Sequence, residues 1–210
     1  MRSLCCLVVV FLAAGSLAAQ GPTSPPRLVA AELGIAPWNV NSGGIAAFDV
    51  KIDATGSVQS ADVVQDVAPY GGMLAEALPT WRFEPAREGG RAVPSRVLVL
   101  GFFRPPLTSF AAPDSPRYKS TTAPAELPWP TSVAVPPYPP NALGSGKVVL
   151  EADLSDRGAV TKTRILTPPS PFDSAAADTA RQWQFRPASR GNRDVASRAF
   201  LVFSFVGTTP

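Results

Sequence analysis

The chain of 210 residues contains no histidine, and its two cysteines, Cys5 and Cys6, both lie within the first 21 residues. The commonest general base and the commonest metal ligand of proteins are therefore missing. Without a thiol beyond residue 21, the remaining chain can form neither a disulfide nor a thiol metal site. We expect no catalytic, metal-binding or cofactor-binding residues, no cofactor, and no enzymatic activity.

Clustered charge is also lacking. The formal net charge is +3, and lysine and arginine are interspersed with acidic residues rather than gathered in runs. This pattern predicts no nucleic-acid partner. No glycine-rich phosphate loop follows a predicted strand, because Gly144-Ser145-Gly146 precedes one and is typical of a turn. Carboxylate- or lysine-based chemistry in an unrecognised enzyme stays open as an alternative. Pairs such as Asp153 with Asp156 could supply its carboxylates, although acidic residues at this hairpin also favour the turn.

Residues 1–21 have the features of a secretory signal. Arg2 is followed by an apolar run at Leu4–Ala14 and by small residues at Ser16–Ala19. The apolar stretch Leu4–Ala19 is shorter than the roughly 20 residues that span a bilayer. We predict cleavage and a periplasmic or secreted protein. The alternative is an uncleaved anchor in the inner membrane with the rest facing the periplasm, and only then would the protein contact a membrane.

The remaining chain repeats itself at an offset of 102 residues. Residues 37–103 align without a gap onto residues 139–205, and seventeen of these 67 aligned positions carry the same residue. Such a repeat divides a chain into equivalent units. The predicted organisation is a short lead at 22–36, a degenerate first domain at 37–104, a Pro-rich linker at 105–137 and a second domain at 138–206.

Each repeat has the pattern of one small sheet and one helix. Strict alternation puts Ala46, Phe48, Val50 and Ile52 on one face of a first strand, as it does Val148, Leu150, Ala152 and Leu154 in the second repeat. A glycine turn at Gly56 or Gly158 then leads into second strands at 58–64 and 160–167. A helical face follows at Phe172, Ala176, Ala180 and Trp183, with Tyr70, Leu74, Leu78 and Trp81 in the same places of the first repeat.

The two predicted helices differ in how strongly their sequences favour a helix. Ser170, Pro171 and Asp173 favour a good helix start in the second repeat. Pro79 is expected to cut or kink the first helix.

A long last strand closes each repeat, at Val93–Phe103 and Val195–Phe205. Both faces of this strand are apolar, so its second face needs cover from the sister repeat, from a partner or from the linker. We expect that the repeats can pack on each other through these strands. Trp129, between two prolines of the linker, is a candidate for docking on a domain.

The sharpest motif is Trp-x-Phe-x-Pro-Ala, which occurs once in each repeat. Its helical spacing favours a structural core motif over an aromatic binding platform. The core residues predicted from it are Trp81, Phe83, Pro85, Trp183, Phe185 and Pro187. Arg96 and Arg198 also recur in register, and we expect them to pair across strands with Asp49 and Glu151 rather than to capture an anion.

Taken together, these motifs resemble the TonB C-terminal domain family. The second repeat carries the resemblance in Tyr138-Pro139-Pro140-Asn141-Ala142, in the hairpin around Gly158, in Phe172-Asp173 through Trp183-Gln184-Phe185-Arg186-Pro187, and in the strand Ser197–Phe205. The first repeat matches less well, since Ala36 and Val40 replace the tyrosine and alanine of the opening turn. The resemblance implies an α+β fold of two TonB-C-like domains, each a three-stranded antiparallel sheet packed with a helix.

The resemblance also implies a binding function. It predicts a partner that is an envelope protein or an extended peptide, such as an outer-membrane receptor, bound by addition of a strand to an exposed sheet edge. We place that edge in the last strand, at Val195, Ser197, Arg198, Ala199, Phe200, Leu201, Val202, Phe203 and Phe205. The alternative is a membrane-anchored energy transducer for outer-membrane receptor transport, although the stretch Gln20–Ala36 before the first repeat, at 17 residues, is short for that role.

Overall fold

The computed structural model describes residues 23–32, 43–66, 70–103 and 123–207. The predicted signal at 1–21 and the opening turn of the first repeat lie outside these ranges. The elements of the first half are β1 (Thr23–Ser24), β2 (Arg27–Ala30), β3 (Gly44–Ile52), β4 (Val58–Gln65), α1 (Tyr70–Ala77), β5 (Arg82–Glu84), β6 (Ala86–Glu88), β7 (Arg91–Val93) and β8 (Ser95–Phe103). Those of the second half are β9 (Trp129–Ser132), β10 (Gly146–Leu154), β11 (Val160–Ile165), α2 (Asp173–Ala180), β12 (Gln184–Arg186), β13 (Ala188–Arg190), β14 (Arg193–Val195) and β15 (Ser197–Phe205).

One six-stranded sheet runs through both halves, in the order β11-β10-β15-β8-β3-β4. Each half contributes three antiparallel strands, and the halves join where β8 pairs in parallel with β15, from Leu98 opposite Ala199 to Phe103 opposite Ser204. The fold is therefore mixed α and β with few helices, as expected. The arrangement as two domains is not confirmed, because the hydrogen bonds of the sheet cross from one half to the other.

Parallel pairing of these two last strands fixes where the helices lie. The strand order is symmetric about the parallel β15–β8 pair, because β10 and β11 follow β15 on one side as β3 and β4 follow β8 on the other. The two halves are therefore related by a half-turn about an axis along the strands. That rotation turns one half over, so α1 and α2 pack on opposite faces of the sheet. A parallel pair needs a long connection between its strands, and the chain between Phe103 and Ser197 supplies it.

Each face of the sheet consequently bears one core, and each core takes residues from both halves. The core around α1 contains Trp81 and the predicted inward residues of β3, together with Val149, Phe200 and Val202 from the second half. The core around α2 contains Trp183 and the predicted inward residues of β10, together with Ile45, Ala47, Leu98, Leu100 and Phe102 from the first half. The sister half is thus the main cover for the second apolar face of each last strand.

The segments before each half are also built into the fold. In the predicted lead, β1 pairs with β6 and β2 pairs with β5. In the predicted linker, β9 pairs with β12, and Trp129 and Val133 are buried. Residues 123–137 are therefore not a spacer, because these apolar side chains dock on the core around α2.

The two tryptophans of the repeated motif anchor these segments in the same way. The indole N–H of Trp81 donates to the carbonyl of Glu32 at 3.1 Å. The indole N–H of Trp183 donates to the carbonyl of Ala134 at 3.0 Å. Both acceptors lie 49 residues before the donor, so the correspondence between the halves extends further upstream than the aligned residues.

The hairpin turns need glycine for two reasons. Gly56 and Gly158 have φ of 88° and 78°, a conformation that side chains disfavour. A Cβ at either residue would also lie 1.7 Å from the carbonyl oxygen of Phe83 or Phe185. In the first turn the Asp53 carboxylate accepts the amides of Thr55 and Ser57, and in the second the Ser155 hydroxyl accepts the amides of Arg157 and Ala159.

Both helices follow the predicted face, with corrections at their ends. Pro79 ends α1 at Ala77, and the chain continues through a 3₁₀ turn at Leu78–Thr80. At the start of α2, the Asp173 carboxylate accepts the amide of Ser170 at 3.1 Å and its hydroxyl at 2.7 Å. Phe172, rather than Ser170, is the cap residue, because the helix begins at Asp173.

Candidate functional site

The strand expected to receive a partner lies inside the sheet. β15 pairs with β10 along one side, from Ser197 to Phe205, and with β8 along the other. The predicted edge residues in it, Ser197, Arg198, Ala199, Phe200, Leu201, Val202, Phe203 and Phe205, therefore have no open edge between Ala199 and Ser204. Val195 belongs to the separate strand β14. This is a correction with a clear cause, since a strand that is apolar on both faces is typical of the middle of a sheet.

Two other strands form the outer edges of the sheet. Among the described residues, β4 and β11 each have a partner strand on one side and none on the other. These two strands occupy equivalent places in the two halves. They are the positions at which an added strand could continue the sheet.

The direction of the backbone groups of β11 can be worked out from one hydrogen bond. Leu166 donates its amide to the carbonyl of Val149 at 2.8 Å, just beyond the end of β11. Hydrogen-bonded and non-hydrogen-bonded pairs alternate along an antiparallel ladder. Leu150 opposite Ile165, and Ala152 opposite Thr163, are therefore the non-hydrogen-bonded pairs. Thr163 and Ile165 direct their N–H and C=O groups away from β10, toward the open edge.

The face and surroundings of β11 are polar and basic. Lys162 is exposed, and the Thr163 hydroxyl accepts a long hydrogen bond of 3.4 Å from Arg181 on the α2 side. Arg164 is 38% exposed and points to the Glu151 carboxylate, to which its Nε donates at 2.9 Å. None of these residues was predicted from the sequence to belong to a site. The signal that could have found them is the pair of basic residues two apart in a short strand, since charge is typical of protected sheet edges.

Two buried carboxylates, Asp49 and Glu151, occupy equivalent positions in the two halves and bind neighbouring arginines. Asp49 is 4% exposed and accepts the guanidinium of Arg96 at 2.9 and 3.0 Å. The hydrogen bond to Asp49 raises the pKa of Arg96 above its usual value. Glu151, also 4% exposed, is held by Arg164 and accepts the amide of Leu28 at 2.8 Å.

The predicted cross-strand pairing of the recurring arginines is direct for Arg96 and weak for Arg198. Arg96 pairs with Asp49 as expected. Arg198 pairs mainly with Asp153 at 2.7 Å, and Glu151 lies at 3.9 Å, because Arg164 on the neighbouring strand already occupies that carboxylate.

The Trp-x-Phe-x-Pro motif lies inside the protein. Trp81 and Trp183 are fully buried, and Phe83 and Phe185 are 5% and 4% exposed. Pro85 and Pro187 are half-buried and precede the short strands β6 and β13. The tryptophan and phenylalanine side chains are therefore unavailable to a ligand.

The described part of the chain offers little for other chemistry. It contains no group of three or more histidine, cysteine, aspartate or glutamate residues that could hold a metal ion. Within the same ranges, no helix has the length and apolar character needed to cross a bilayer.

The comparisons with known proteins concern the second half. Residues 134–206 match the family model described as Gram-negative bacterial TonB protein C-terminal. No curated protein matched the chain at significant similarity. The match begins at Ala134, the residue whose carbonyl accepts the Trp183 indole, and includes β10, β11, α2 and β15. It supports a TonB C-terminal domain in the second half of the chain.

Proposed function

We propose that this protein is a TonB-family envelope protein that binds an extended segment of another envelope protein by strand addition to the outer edge of β11. The match of residues 134–206 supports the family. The observation that supports this binding site is the outward direction of the backbone N–H and C=O groups of Thr163 and Ile165. An extended peptide can pair with such groups along an open edge, while its alternate side chains give selectivity.

We also infer that the two halves are copies of one unit. Support comes from the same order of strands and helix in each half, and from the two indole hydrogen bonds that span 49 residues. Tyr70 stacks on Phe103 with ring centroids 4.1 Å apart, and Phe172 stacks on Phe205 at 4.7 Å, again 102 residues later. In this proposal the first copy covers the last strand of the second, which leaves β11 as the binding edge of the TonB-C-like half.

A substitution that removes one outward amide tests the edge. Thr163→Pro lacks the N–H that an added strand needs, but leaves the ladder with β10 intact, because this amide points away from it. Thr163→Ala is the matched control, since it loses the side chain and keeps the amide. Envelope proteins cross-linked to the purified native protein should be identified by mass spectrometry. The proposal expects that Thr163→Ala retains them and that Thr163→Pro loses them, and equal retention by both variants would contradict it.

The family match equally favours a membrane-anchored energy transducer as a second candidate. The two candidates differ in the native N-terminus. Mass spectrometry that finds Met1 in a membrane fraction supports the transducer. A mature chain that starts near Ala19 or Gln20 supports the exported binding protein.

A further inference from the structure

A cleft of about 1190 Å³ opens at one end of the central sheet, between the ribbon β6–β7 of the first half and the ribbon β13–β14 of the second. We call it the inter-ribbon cleft. Ser95–Val97 and Ser197–Arg198, at the beginnings of β8 and β15, line it. At this volume the cleft can hold a short peptide or another ligand of similar size.

The two central strands separate at the cleft. β8 begins at Ser95, paired with Ile52, and β15 begins at Ser197, paired with Leu154. The ladder between β8 and β15 starts only at Leu98 opposite Ala199. On their facing sides the first residues of both strands therefore lack a ladder partner among the described residues. Such backbone groups favour a ligand that can donate and accept hydrogen bonds in strand-like spacing.

The charged groups of the cleft are already matched to one another. Its lining includes three acidic side chains and three basic ones, namely Glu88, Glu126, Asp153, Arg96, Arg190 and Arg198. Arg96 lies 3.7 Å from Glu126 in addition to its bonds to Asp49, and Arg190 lies 3.6 Å from Glu88 across the two ribbons. Because no charge of either sign is in excess, the cleft favours a ligand without net charge.

The uncharged residues of the lining determine the shape of the ligand that fits the cleft. It consists largely of proline, alanine, serine and valine, including Pro94, Ala188 and Ala196. None of the described residues that line the cleft is aromatic, so it offers no ring on which a base or a sugar could stack. The small apolar side chains fit a peptide whose own side chains are small.

We propose that the inter-ribbon cleft is a second binding site, which takes a short, neutral, extended peptide segment with small side chains. The peptide backbone pairs with the facing sides of Ser95–Val97 and Ser197–Arg198, where the parallel ladder has not yet begun. This site is distinct from the outer edge of β11 and does not depend on it.

The test uses the purified protein and an acetylated, amidated hexapeptide of alternating threonine and alanine. Isothermal titration calorimetry should show binding, and amide chemical shifts of Ser95–Val97 and Ser197–Arg198 should change in the ¹⁵N-labelled protein. Ala196→Trp fills the cleft from an exposed position and should weaken binding at least about tenfold. Ala92→Trp makes the same change on β7 outside the lining and should alter the affinity less than about twofold.

Several results would overturn the proposal. These are no binding of the hexapeptide, equal affinity for versions with two glutamates or two lysines, or binding of a neutral oligosaccharide alone. Shift changes confined to β11 would also contradict it, and they would leave the β11 proposal standing. Because the shift map uses the unsubstituted protein, the proposal stays testable even if Ala196→Trp does not fold.

Discussion

Phe102, in the last strand of the first half, packs edge-on against Trp183 in the core around α2, with ring centroids 6.0 Å apart. On the opposite face, Phe200 of the second half packs edge-on against Phe83 of the first at 5.2 Å. Each half thus places an aromatic side chain in the core of the other. Neither core is complete within its own half, so the two halves should form a single folding unit.

Phe102→Ala should therefore destabilise both halves together. Removing a buried phenylalanine costs about 3–5 kcal/mol, because it leaves a cavity as well as losing apolar burial. Guanidinium unfolding should show one transition, with tryptophan fluorescence and far-UV circular dichroism changing at the same midpoint. Two separate transitions in the wild-type protein would contradict shared cores.

Gly158→Ala should be more harmful than Gly144→Ala. Both glycines have positive φ, 78° and 71°, so both substitutions carry a backbone cost of about 1 kcal/mol or more. A Cβ at Gly158 additionally meets the carbonyl oxygen of Phe185 at 1.7 Å, whereas a Cβ at Gly144 meets nothing within 4 Å. The free energies of unfolding should differ by at least about 1 kcal/mol, and equal losses would mean that the turn geometry is wrong.

Glu151→Ala should release β2, which lies in the segment before the first repeat, from the second half. The variant leaves Arg164 without its carboxylate and the Leu28 amide without its acceptor. We expect a loss of about 2–3 kcal/mol, less than for a fully buried pair because Arg164 is 38% exposed and is hydrated when unpaired. Hydrogen exchange of the Leu28 amide should accelerate in Glu151→Ala and much less in Glu151→Gln, which keeps an acceptor. Unchanged hydrogen exchange of the Leu28 amide in both variants would show that Glu151 does not hold β2 in place.

Asp53 should make the first hairpin sensitive to acid. Hydrogen bonds from the Thr55 side chain and the Ser57 backbone lower the pKa of this carboxyl below its ordinary value. A lowered pKa in the folded state gives stability that is present above the unfolded pKa, about 3.9, and is lost as the pH falls through the folded value. Asp53→Ser copies the uncharged Ser155 of the second hairpin and serves as the matched variant. The wild type should lose free energy of unfolding relative to Asp53→Ser as the pH falls below about 4. A difference in free energy of unfolding that stays constant from pH 7 to pH 2 would contradict this assignment.

The local structure of each half could be predicted because it depends on patterns within the sequence. The alternation of Ala46 to Ile52 and of Val148 to Leu154 indicated the correct buried faces. Glycine at 56 and 158 marked the hairpins, and Pro79 marked the end of α1. In each case a neighbouring residue type limits the backbone directly.

The arrangement of the halves could not be predicted in the same way. The apolar second faces of β8 and β15 led to the expectation that the repeats pack on each other through these strands, but they did not show that the two strands pair edge to edge within one sheet. Leu28 lies in a proline-bearing segment without periodicity, so nothing in its neighbours indicated that it docks on a core. Trp129 could be named as a candidate for docking, but the sequence did not indicate which core it joins. The expected binding edge was misplaced for this reason, since an open edge depends on which strands meet rather than on the pattern of any one strand.

The most direct test of the account is amide hydrogen exchange along β15 in the intact protein. A strand at the edge of a sheet protects alternate amides, whereas a strand between two neighbours protects successive ones. The structure predicts slow exchange at every amide from Phe200 to Phe203, because β10 and β8 pair with opposite sides of this strand. Fast exchange at every second amide in that run would show that β15 is open on one side, and it would contradict the continuous six-stranded sheet.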